Sequence, residues 1–189
     1  QKQFDSTARL WNNYKTDYKP LVDFAKLKQI DFIATNIPRR YASLVFKKDL
    51  LALDSLSLQE KAWIAPLPIP FDINLPGYKN MMAMMGGANH GGAKTENFVK
   101  AQAIKDATMA HFILHNPWRK PNTVHLHFNG AYHSDFYQGI MWYVQQEVPQ
   151  MKILTITTVS QDDVKKLDKE HLGQADFIIC VPSNMTSTH

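Results

Sequence analysis

The sequence predicts an α/β fold in which a mostly parallel sheet is flanked by helices. Three observations carry this. Short apolar runs alternate with amphipathic stretches for most of the length. The intervals between the later strand candidates are long enough for crossover helices. The chain has 189 residues, 44% of them hydrophobic, which suits one core-stabilised α/β domain spanning residues 1–189.

The first element is an amphipathic helix over Tyr18 to Gln29, with Leu21, Val22, Phe24, Ala25 and Leu27 set among lysines and Pro20 near its start. It runs into a strand, Ile30 to Thr35. Pro38 then opens a helix over Arg39 to Lys47, and Asp54 to Ile64 reads as a further helix. Prolines 66, 68, 70 and 76 make the next stretch extended. It leads to Met81–Met85 and the glycine-rich Gly86–Gly92, an adaptable apolar surface beside a turn or, equally, a short core helix before a loop. Glu96 to His115 is the longest helical pattern. Strands are expected over Thr123–Phe128, Lys152–Val159 and Asp176–Val181, with helices over Tyr137–Glu147 and Asp162–Leu172 between them.

Charge and cysteine usage narrow the function classes. Lys and Arg number 21 against 17 Asp and Glu, a mild excess scattered along the chain, so no basic stripe points to nucleic acid. A single cysteine, Cys180, excludes an intramolecular disulfide and any multi-cysteine metal site. GxGxxG, GxxxxGK[ST] and GxSxG are all absent, which removes the dinucleotide, P-loop and nucleophile-elbow readings.

Ligands of open parallel sheets collect outside the carboxyl ends of the strands. Those positions hold Asn36, Arg39 and Arg40 after the first strand, and Asn129, Gly130, Tyr132 and His133 after the second. Strand alternation sets His125 and His127 on one face as packed, hydrogen-bonded histidines, while His133 lies past the strand end where a ligand can reach it. Asp106 shares a helical face with Val99, Ala103, Ala110 and Ile113, so a carboxylate interrupts an apolar stripe. A buried carboxylate requires a partner, and Arg39 or Arg40 is the expected one. His111 and His115 stand four residues apart but lack an accompanying acid, and no metal ligands are assigned.

Three ordered motifs carry a family resemblance: Asn36-Ile-Pro-Arg-Arg-Tyr-Ala42, Ala101-Gln-Ala-Ile-Lys-Asp-Ala-Thr-Met-Ala110, and His127-Phe-Asn-Gly-Ala-Tyr-His-Ser-Asp135 with Gly139-Ile140. From about Phe4 to Thr186 the chain resembles the ChaN-like haem-binding uptake family, of the superfamily that includes Tiki metalloproteases and erythromycin esterases. The resemblance implies a haem-binding protein of bacterial iron uptake, periplasmic or on the cell surface, often a lipoprotein. Its membrane association would come only through a lipid anchor outside this stretch. It further implies haem in an apolar pocket at a homodimer interface, with a tyrosine on the iron and His and Lys near the propionates. Tyr78, Tyr132 and Tyr137 are the candidate ligands, with Met84, His90 and His133 on the haem face and Lys79 or Lys94 for the propionates. The superfamily's Gly-Glu-x-His strand has no counterpart here, so the N-terminal strands of the family domain are expected to be missing. The alternative reading is a metal-dependent hydrolase, an esterase or peptidase, in which Arg39, Asp106 and His133 are catalytic.

Overall fold

The computed structural model describes residues 10–84, 88–116 and 123–186. Its centre is one long helix, α5 (Ala88–Leu114), preceded by α1 (Lys19–Leu27), α2 (Arg39–Lys48), α3 (Leu58–Lys61) and α4 (Pro76–Met84), and followed by α6 (Ile140–Glu147). The expected stripe on α5 is the core: Val99, Ala103 and Ile104 are fully buried, and Ala107, Met109 and Ala110 nearly so. Alanines along this face let α2 approach with Tyr41, Ala42 and Val45, and α6 with Ile140, Tyr143 and Val144. Thr108 is buried in the same face, where its hydroxyl accepts the Ala65 N–H at 3.2 Å, tying the proline-rich segment to the helix.

Several elements differ from expectation. The stretch expected as one helix over Asp54–Ile64 divides into a 3-10 turn (Leu50–Ser55) and α3. Ser57 interrupts it: its hydroxyl accepts the Glu60 N–H while the Glu60 carboxylate accepts the Ser57 N–H, a reciprocal cap that starts α3 afresh. Met81 to Met84 belong to helix α4, whereas Met85 to Gly87 lie outside the described residues. Glycines 91 and 92, expected in a loop, fall within α5, which starts at Ala88 and not at Glu96. Helix α6 begins three residues later than expected because Phe136 (φ 55°), Tyr137 (φ 58°) and Gly139 (φ 54°) all adopt left-handed backbone that no α-helix admits.

The sheet is parallel but small among the described residues. Strand β1 (Ile156–Gln161) pairs with β2 (Phe177–Pro182) in a register from Ile156 opposite Phe177 to Gln161 opposite Pro182. Thr157, Val159 and Gln161 point inward. The helix expected between these strands is replaced by a loop with one 3-10 turn (Lys169–His171). Buried Gln161 explains this. Its amide donates to the Lys166 carbonyl at 2.7 Å and to that of Asp163, and its carbonyl accepts the Asp168 N–H at 3.2 Å, satisfying backbone groups that a helix would otherwise pair.

The two other expected strands, Ile30–Thr35 and Thr123–Phe128, run extended without a hydrogen-bonded ladder. A ladder needs a neighbouring strand to pair N–H with C=O, and the described residues provide none. Phe32, Val124, Leu126 and Phe128 are therefore exposed, and His125, expected to be packed, is exposed with them. The two segments meet at their ends, where the Thr35 hydroxyl hydrogen-bonds His127 Nε2 at 2.8 Å.

Since the core depends on side chains converging on α5, Leu53→Ala, at a site with no exposure, should lower unfolding free energy by about 2–5 kcal/mol. Urea denaturation checks this, and a loss within about 0.5 kcal/mol would place Leu53 outside the cooperative core.

Candidate functional site

Helix α5 carries Asp106 into the interior with no exposure at all. The carboxylate is expected to meet an arginine, but a different pair of groups holds it. His133 Nδ1 donates to Asp106 Oδ1 in a close ion-pair contact, and the Tyr78 hydroxyl donates to Oδ2 at 3.3 Å. The reason lies in α2. Its start points Arg39 into solvent, while Arg40 donates to the Tyr41 hydroxyl at 2.7 Å and lies over the Tyr41 and Trp63 rings at 4.5 and 5.1 Å.

The network continues outward. Gln102, one turn before Asp106 on α5, places its amide nitrogen 3.3 Å from His133 Nε2. With Nδ1 donating to Asp106, Nε2 is the acceptor for that amide. The Gln102 carbonyl in turn accepts from Lys105 Nζ at 3.4 Å. Five side chains thus form one relay: Lys105 to Gln102 to His133 to Asp106, with Tyr78 on the carboxylate's other oxygen. Spacing could have found Gln102, since i−4 puts it on the Asp106 face. Nothing local in the sequence marks Lys105.

Gly139 makes this arrangement possible. Its backbone (φ 54°, ψ −119°) is closed to other residues, and a Cβ there would stand 2.5 Å from the His133 carbonyl oxygen and 3.3 Å from Asp106 Cγ. Beside it, the Gln138 carboxamide accepts the Gly77 N–H, fixing the start of α4 to the same loop.

Burial sets the electrostatics. It pushes the Asp106 carboxyl up from the usual range, while His133 and the Tyr78 hydroxyl pull it back without cancelling the effect. Tyr78 is pushed well above a normal phenol by burial and by the Asp106 charge. Lys105 is pushed down by burial, a shift that Asp106 opposes and Arg39 reinforces. Burial and the neighbouring His133 lower His127.

The remaining sequence candidates divide by position. Tyr132 and Met84 come together at the surface: the Tyr132 hydroxyl donates to the Met84 sulfur at 2.9 Å, with Tyr132 51% and Met84 75% exposed. Tyr78 is 4% exposed and stacks on Phe71. Tyr137 donates to Asp176 at 2.9 Å, and that bond holds its phenol above the usual range. Lys79 and Lys94 are exposed. The His90 side chain lies outside the described residues. His111 and His115 have rings 4.8 Å apart, and His115 pairs with Glu147. A shallow cleft of about 270 Å³, counting its open mouth, is lined by Leu75, Gly77, Tyr78, Met81, Tyr132, Gln138 and Gly139. It joins the Tyr132 surface to the buried relay through Tyr78.

Gly139→Ala should destabilise the protein by more than about 1 kcal/mol and displace His133. Thermal unfolding together with the His133 ring resonances checks this, and unchanged resonances would contradict it. Asp106 also predicts a pH dependence. Its carboxyl holds a proton to higher pH in the folded chain than in the unfolded one. Above the ordinary carboxylate pKa the folded state then binds more protons, and stability falls as pH rises until the folded carboxyl ionises. Asp106→Asn lacks the titrating group, so the wild-type-minus-variant difference in stability, measured by urea titration, should fall between about pH 4 and 7. A difference that rises with pH would mean that the folded chain holds this carboxyl down, not up.

No curated protein and no solved structure matches the chain. A family described as haem-binding uptake, Tiki superfamily, ChaN matches residues 1–144, ending within α6. The three motifs singled out in the sequence all fall inside that span, although the resemblance was expected to extend to Thr186. The match covers the whole relay and stops before β1. On that coverage, the chain belongs to the ChaN family of haem-binding uptake proteins in the Tiki superfamily.

Proposed function

We propose that the chain binds haem at the Tyr132–Met84 surface, with the Tyr132 phenolate as iron ligand. One observation carries this: an exposed tyrosine hydroxyl beside an exposed thioether, at the mouth of an apolar cleft floored by Leu75 and Met81. The three tyrosine candidates separate on chemistry. An iron ligand must be reachable and must give up its proton. Tyr78 is buried with its hydroxyl committed to Asp106, and Tyr137 is committed to Asp176; both are held in the protonated form. Tyr132 is reachable and its hydroxyl meets a thioether, not a carboxylate, so the donor set fits haem through that residue. Bound haem would supply a ferric centre open to oxygen ligands.

The cleft is smaller than the roughly 300–1,000 Å³ of sites that enclose a ligand. A porphyrin seated there would leave much of its face exposed, which supports a second copy of the chain closing over it. In this reading the protein works in bacterial haem or iron uptake at a periplasmic or cell-surface location, as the family's description as an uptake protein favours.

A second reading draws on the His133–Asp106 pair. A histidine oriented by a buried carboxylate is the arrangement of a general base, and Arg39 would stabilise an oxyanion in an esterase or peptidase. Turnover of a p-nitrophenyl ester by metal-supplemented protein, lost in His133→Ala, would favour it; no turnover would remove it.

Haemin titration tests the first reading. A saturable Soret shift at one haem per chain is expected. Tyr132→Phe should change the Soret position and weaken binding about tenfold or more, while Tyr78→Phe leaves the spectrum intact. Light scattering should show haem-dependent doubling of mass. An identical Soret band in Tyr132→Phe would overturn the ligand assignment.

A further inference from the structure

We propose that Arg39, Lys105 and His133 form a binding site for a small anion bearing a carboxylate or phosphate group, at the joined ends of the extended segments 30–35 and 123–129. The site is one that the haem reading does not use.

Charge balance is the starting point. Thr35 and His127 bring the two extended segments together at 2.8 Å, and His127 Nδ1 bonds Asn129 at 3.1 Å. His133, Gln102 and Lys105 follow along one hydrogen-bonded line. Lys105 and Arg39 stand within electrostatic reach of each other. The carboxylate that reaches this group is Asp106, and both its oxygens are already engaged, one by His133 and the other by Tyr78. Among the described residues neither Arg39 nor Lys105 forms a salt bridge.

Packing turns that imbalance into a site. Lys105 is half-buried and Gln102 is 9% exposed, so neither can swing away to shed charge into water. The helix framework holds like charges together: α2 brings Arg39 and α5 brings Lys105, and these two helices share the main core contact. An anion bridging the two cations would remove their repulsion and gain charge-assisted hydrogen bonds from both. Arg39 is exposed and supplies a planar fork suited to carboxylate or phosphate oxygens. The lowered lysine accords with a cation that lacks its counter-charge.

Inorganic phosphate is the probe. Haem-free protein titrated with phosphate should bind saturably by calorimetry with a dissociation constant below about 10 mM, and the Lys105 and His133 side-chain resonances should shift. Arg39→Gln and Lys105→Met should each weaken binding about tenfold. Lys105→Arg keeps the charge and should retain binding. Lys47→Gln removes the same charge from the far end of α2 and should change nothing. Haemin and haemin dimethyl ester, each titrated with and without phosphate, distinguish the source of the anion. Phosphate competing with haemin but not with the ester would identify a haem carboxylate as the occupant, and phosphate affecting neither would identify a free anion. No saturable phosphate binding, or binding equal in Arg39→Gln, Lys105→Met and Lys47→Gln, would overturn the proposal whatever the outcome with haem.

Discussion

A single buried carboxylate organises this molecule. Asp106 sits where the apolar face of α5 should be continuous, and leaving it unpaired there would cost far more than any one packing contact gains. It therefore fixes its surroundings. His133 must reach in from the loop after residue 129, Tyr78 from α4, and the backbone at Gly139 must come close enough to let His133 arrive. Three segments separated along the chain are set in place by one ionisable group. Its replacement by a hydrocarbon would relax the demand on all of them, which makes it a specifying interaction more than a stabilising one.

Much of this was legible in the sequence because it is written in period. The α5 stripe, the interruption at Asp106, and the clustering of polar residues after Phe128 follow from spacings of 3.6 and 2. The alternation of apolar and polar runs correctly indicated a parallel α/β arrangement. Partners of opposite chemistry were less legible. Arginine is the commonest expectation for a buried carboxylate, yet Arg40 spends its guanidinium on Tyr41 and Trp63, aromatics whose proximity depends on the α2–α3 turn. Histidine and tyrosine were at hand only because Gly139 turns the chain back, and a positive φ at one glycine leaves no periodic trace.

Extended segments show the complementary limit. Ile30–Thr35 and Thr123–Phe128 have strand composition, but strand character is a property of pairs, and a sequence states only one partner's half. The stretch from Asp162 to Leu172 fails for another reason: the buried amide of Gln161 competes for its backbone groups. Side-chain amides that substitute for helical hydrogen bonds are invisible to any measure built on apolar periodicity.

The loop that carries His133 is held from two directions. On one side it meets Asp106 and Gly77. On the other, Asp135 accepts from Thr157 at 2.9 Å and from Gln174 at 2.6 Å, Phe136 N–H donates to the Gln174 carbonyl at 2.8 Å, and Tyr137 reaches Asp176. Thr157, Gln174 and Asp176 all lie beyond the residues that the family description covers. The left-handed turn at Phe136 and Tyr137 is thus kept under tension by a region with its own evolutionary latitude. Drift in the β1–β2 unit can retune the posture of His133 without altering one residue of the shared motifs, so two chains with identical motifs need not present the same site.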